Sequence, residues 1–114
     1  MDLTMSRGKL KQWTILLTNP DGTPYNPAGH ALIFVAKYTP ADATPVITES
    51  TTNGNITISG TTPFPVTITV PPVDTSTLPN TALVLLYEVD EDPATLTAPE
   101  PLLSGRLVIG PTLD

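Results

Sequence analysis

Apolar and polar residues alternate along most of the chain, and a period of two predicts strands rather than helices. In residues 10–18, Trp13, Ile15 and Leu17 fall on one face and Gln12, Thr14 and Thr18 on the other, with Leu16 out of phase. Asn19-Pro20-Asp21-Gly22 ends this strand, since Pro fixes φ at the second turn position and Gly admits the left-handed conformation. After a loop over 23–29, residues 30–37 are apolar on both faces, with Leu32, Phe34 and Ala36 interleaved by Ile33 and Val35. Such a segment predicts a central strand.

Residues 38–45 turn the chain, and 46–50 are short and polar enough for an edge strand. Asn53-Gly54 is a tight-turn signal. Two alternating strands follow at 55–59 and 65–70, with Ile56, Ile58, Val66, Ile68 and Val70 predicted to face the core. Pro71-Pro72 stops the second of them. One short helical turn is predicted near 74–78, with Asp74 as its N-cap and Leu78 packing inward. Residues 81–89 form a second apolar-rich strand, 90–101 read as an acidic, proline-bearing loop, and 102–109 form the last strand, ended by Pro111.

About seven short antiparallel strands separated by regular turn signals predict an all-β domain, either a β-sandwich or a small barrel, of which the sandwich is preferred. Residues 1–9 show no periodicity in this reading and are assigned to an N-terminal arm. The domain then covers 10–110, and 111–114 are a C-terminal tail. A length of 114 residues suits one domain. Leu, Ile, Val and Phe number 31, about 27% of the chain, which is enough to argue against disorder. The 20 Thr and 14 Pro residues favour pleated surfaces with many corners.

Charge narrows the function. Five Lys and Arg against 11 Asp and Glu give a net charge of −6, the wrong sign for a nucleic-acid binder. The longest apolar runs, 31–36 and 82–87, are too short to span a bilayer as helices, so no membrane partner is expected. The polar opening residues lack an apolar signal segment, and there are no cysteines; the expectation is assembly in a reducing cytoplasm.

Candidate chemistry is sparse. His30 is the only histidine, and no G-x-S-x-G elbow accompanies it, so the chain is expected not to be an enzyme and to take no small-molecule substrate or cofactor. Glu88, Asp90, Glu91 and Asp92 are the densest charge. They read as a hard-cation site, a solvated loop or a partner contact, and they lack the pattern of an EF-hand. Asn55-Ile56-Thr57 matches a glycosylation sequon but also an ordinary strand start. Trp13 reads as a core anchor, with an exposed sugar-binding role as the alternative. Arg7, Lys9 and Lys11 make a small basic run, either a solubilising terminus or an arm that docks on an acidic neighbour. Arg7, Lys9, Lys11, Asp90, Glu91 and Asp92 are therefore the candidate partner contacts.

The order of segments resembles a known family. The run from Trp13 to Pro24, the strand from Ala28 to Lys37, Thr44 to Thr48, Gly54 to Ser59, Val66 to Val70 leading into Asp74 to Pro79, and the ending from Leu102 to Ile109 are similar to the phage baseplate-upper-protein N-terminal domain. The chain departs from that pattern at residues 83–89 and in the length of the loop that follows. The resemblance implies an immunoglobulin-like β-sandwich in the virion of a tailed phage. It further implies a non-enzymatic structural protein, present in many copies, that binds other phage structural proteins as a baseplate or tail-fibre adaptor or as a capsid decoration. A carbohydrate- or cell-surface-binding module, using the 90–101 loop with Tyr25, Tyr38 and Phe64, is the alternative. Removal of residues 1–9 is expected to leave a folded monomer that fails to join particles.

Overall fold

The computed structural model describes residues 2–18, 22–25, 31–39, 41, 44–58, 65–92 and 103–111, apart from the side chains of Glu91 and Asp92. These residues are almost entirely strand and turn, so the fold is all-β as expected. Eight strands are present: β1 (Leu3–Ser6), β2 (Lys11–Ile15), β3 (Ala31–Lys37), β4 (Ile47–Ser50), β5 (Ile56–Ile58), β6 (Val66–Val70), β7 (Leu83–Asp92) and β8 (Leu103–Gly110). They form a five-stranded sheet in the order β1-β8-β7-β3-β4 and a three-stranded sheet in the order β2-β6-β5. The larger sheet curls into a half-barrel.

One hydrophobic cluster joins the two sheets. Leu32, Phe34 and Ala36 of β3 alternate inward with Leu85, Tyr87 and Val89 of β7, Leu107 and Ile109 of β8, and Ile47 of β4. From the smaller sheet, Ile15, Ile56, Val66, Ile68 and Val70 enter the same cluster, with Ile58 and Trp13 packed against it. The two phases read for residues 55–59 and 65–70 therefore hold. Phe34 lies at the centre: its ring stacks on Tyr87 with centroids 5.5 Å apart, and Trp13 of the other sheet lies 6.1 Å away. Leu16, the one residue out of phase near β2, is 56% exposed.

The central position expected for β3 is also observed, between β4 and β7, and β4 is an edge strand. Gly22 has φ +88°, the left-handed conformation expected of it, and Thr18 pairs with Pro24; residues 19–21 of the predicted turn lie outside the described residues. The Asn53-Gly54 turn carries the chain from one sheet to the other, with Gly54 at φ +85°. The Asn53 side-chain oxygen accepts hydrogen bonds from the backbone N–H groups of Ser50 and Asn55.

Four expectations need correction. Within the expected arm at 1–9, the described residues 2–9 are not free: β1 pairs in parallel with β8, Leu3 opposite Leu107 and Ser6 opposite Gly110, and Leu3 and Met5 are buried in the core. Among the described residues the strands accordingly number eight, and one pairing is parallel while the others are antiparallel. The helical turn lies at Pro72–Asp74, with Asp74 at its end rather than as its N-cap. Pro72 suits the first helical position because its fixed φ is already helical and a missing N–H costs nothing there. Leu78 does pack inward. Finally, Asp90, Glu91 and Asp92 extend β7 rather than opening a loop, with Asp90 opposite Ile33 and Asp92 opposite Ala31. The rest of the predicted loop, at 93–101, lies outside the described residues.

Candidate interaction surface

The outward face of the five-stranded sheet combines exposed apolar side chains with segregated charge. Because side chains alternate along a strand, burying Leu85, Tyr87 and Val89 turns Val84, Leu86, Glu88 and Asp90 outward. Val84 is 53% exposed and Leu86 40%. Register then sets the neighbours. Leu86 sits between Lys37 of β3 and Arg106 of β8, making a basic row with an apolar centre. One step along the face, Glu88 sits between Val35 and Ser104, and Asp90 follows beside Ile33. Val35, Lys37, Leu86, Glu88, Asp90 and Arg106 line a shallow groove of about 470 Å³.

The electrostatics differ at the two ends. Arg106 donates to Asp2 at 3.2 Å, and its hydrogen bond and charge hold the Asp2 carboxyl below the usual carboxylate range. Both side chains are more than half exposed, so the pair adds little to stability. At the acidic end, burial pushes Asp90 up to about 6, helped by a hydrogen bond and repulsion from Glu88. Two carboxyl groups held side by side on an open sheet face are a site where an incoming cationic or hydrogen-bond-donating surface relieves repulsion.

The three residues of the basic run near the N-terminus lie in different settings. Arg7 is clamped onto the segment that follows the 3-10 turn: its guanidinium donates to the Ser76 carbonyl at 2.6 Å and to Asn80 Oδ1 at 3.3 Å, while its backbone N–H donates to the Gly110 carbonyl. Arg7 therefore fastens the chain to itself. Lys9 lies in the turn after β1, Lys11 begins β2, and the two flank a shallow depression with Leu10, which is 60% exposed. The basic run and the acidic cluster are not brought together. Leu83 pairs near β1 through Ile109, and Asp90 stands seven residues further along β7, about 23 Å at the usual rise of a strand.

Other candidates are sorted by their environment. Trp13 is half-buried against Phe34, in keeping with a core anchor. Tyr25 is buried, which removes it from any exposed aromatic platform, while Tyr38 is 45% exposed. His30 and Phe64 lie outside the described residues. Among the described residues, no three His, Cys, Asp or Glu side chains are grouped to hold a metal ion, and no helix is long and apolar enough to cross a membrane. Sequence reasoning overlooked Val84 and Leu86 as surface residues because residues 81–89 are apolar on both faces. The signal available was their phase relative to Tyr87.

No protein-family model matches the chain, and no curated protein sequence matches it.

Proposed function

We propose that this chain is a non-enzymatic structural module of a tailed-phage virion, an immunoglobulin-like β-sandwich that binds neighbouring virion proteins through the outward face of its five-stranded sheet. The observation that carries the reading is the groove at Val35, Leu86, Glu88 and Arg106. It presents apolar side chains at the centre of a rigid sheet, with a basic row on one side and an acidic pair on the other. Apolar centres with polar rims are the anatomy of protein interfaces, and charge on the rim sets orientation and partner choice. The order of segments resembling the baseplate-upper-protein N-terminal domain supplies the virion context, and a chain without cysteine suits assembly in a host cytoplasm.

The test is incorporation. A tagged copy is produced in cells assembling phage particles, and the particles are purified and probed for it. The wild-type chain is expected to co-purify in many copies, and Leu86→Asp to be lost from particles while keeping its melting temperature within a few degrees. Absence of the wild-type chain from particles refutes virion membership. Undiminished incorporation of a folded Leu86→Asp variant refutes the role of this face.

A further inference from the structure

A second acidic pair is hidden at the seam between the sheets. Glu49 follows Ile47 in phase on β4, which turns its side chain inward, and the residue is only 1% exposed. Phe34 of β3 stands opposite it in register. From the turn between β4 and β5, the side-chain amides of Asn53 and Asn55 donate to Glu49 Oε2 at 3.2 and 2.6 Å. From the 3-10 turn, the carboxyl group of Asp74 reaches the same buried site and acts on Glu49 as a side-chain partner. Asp74 Oδ2 is buried without a hydrogen-bond donor. Two ionised carboxylates have only acceptors to offer each other, so burying both would leave that oxygen unsatisfied and the charges opposed. A proton on Glu49 supplies the missing donor.

The pair is also wired to the N-terminal segment. Thr75, next to Asp74 and fully buried, accepts a hydrogen bond at Oγ1 from the Gly8 N–H at 2.7 Å, and Ser76 accepts one from Arg7. We propose that Glu49 holds a proton against the buried Asp74 carboxyl group and that the two thereby form a pH-sensitive latch. While the proton is held, β4 is fastened to residues 72–78 and, through them, to the Arg7–Gly8 turn. When it is lost, repulsion inside the seam releases these segments together.

Burial, reinforced by the Asp74 carboxyl, pushes Glu49 from 4.5 up to about 7. The folded chain therefore holds the proton more tightly than the unfolded one. The stabilisation is complete below about pH 4.5 and is lost as pH rises through about 7. This device does not depend on the virion reading.

The test is a set of thermal melts between pH 5 and 9, run in an Asp90→Asn background so that the Glu88–Asp90 pair contributes no slope. The melting temperature is expected to fall by about 5 °C or more across neutral pH. Glu49→Gln, whose amide donates at every pH, is expected to abolish that fall. In parallel, the side-chain amide NMR signals of Asn53 and Asn55 in the wild-type chain should titrate near neutral pH. Amide exchange at Gly8 and at residues 74–78 should accelerate over the same range. A Glu49→Gln variant that keeps the parent slope overturns the proposal; should that variant not fold, asparagine signals that stay constant from pH 5 to 9 do so. A rise in melting temperature with added calcium at pH 8 also overturns it, since the pair would then be a cation site.

Discussion

Burial of β1 makes the first residues of the chain a structural element, and the cost of removing their side chains follows from the geometry. Leu3 is 5% exposed and Met5 6%, and both belong to the core cluster. Truncating a buried Leu or Met to Ala costs about 2–5 kcal/mol. An edge strand collapses onto its vacancy more readily than a central one, which favours the low end. The two sites are neighbours on one face, so their effects do not simply add. For the Leu3→Ala/Met5→Ala double variant this gives about 4–5 kcal/mol, a large part of the roughly 5–15 kcal/mol that holds a domain together. With a urea dependence of about 1–3 kcal/mol per molar, the unfolding midpoint should fall by about 2 M. The assay is urea unfolding followed by Trp13 fluorescence, since Trp13 is the only tryptophan and packs on Phe34. Thr4→Ala, which points outward between them, is the control and should change stability by no more than about 0.5 kcal/mol. A double variant whose midpoint lies within about 0.3 M of wild type would refute the reasoning, because β1 would then contribute contacts but no stability. Burial of Leu3 and Met5 revises the expectation for a chain lacking residues 1–9: its absence from particles would report on a weakened fold before it reported on a lost contact.

Three further outcomes are expected. Asp90 titrates at about 6 in the folded chain against 3.8 unfolded, so its stabilising proton is held below about pH 4 and lost as pH rises through 6. Asp90→Asn should therefore raise stability at pH 8, by about 1 kcal/mol or less because solvent screens this open face, and leave it unchanged at pH 4; denaturant melts at the two pH values check this. Gly54→Ala should cost about 1 kcal/mol or more despite open space around the site, because its φ of +85° strains any side chain, and calorimetry reads the change. Leu86→Asp should leave the urea midpoint nearly unchanged, since the residue is 40% exposed, while abolishing association with particles.

Strands long enough to repeat their pattern were legible in the sequence. β3 announces itself as central because both faces are apolar, and β6 fixes its inward phase with Val66, Ile68 and Val70. β1 was not legible, since Leu3 and Met5 offer only two apolar beats and their partner is β8, more than a hundred residues away. Asp90 to Asp92 looked like a loop because their charges outweighed their phase. On a sheet with one face open to water, an outward carboxylate such as that of Asp90 is compatible with a strand. Glu49 was hidden for the opposite reason. Its buried environment depends on Asn53 and Asn55 from the turn after β4 and on Asp74 from the 3-10 turn, and no local window of sequence contains all of them.

The parallel seam between β1 and β8 also sets an order of events during synthesis. The earliest of these residues to leave the ribosome cannot dock until the latest have emerged, because Leu3 waits for Leu107. Closing so long a loop is slow, and meanwhile Leu3 and Met5 stay open to chaperones or to the unfinished edge of another nascent chain. A codon change or pause that delays β8 should therefore lower the yield of correctly closed protein without altering a single side chain.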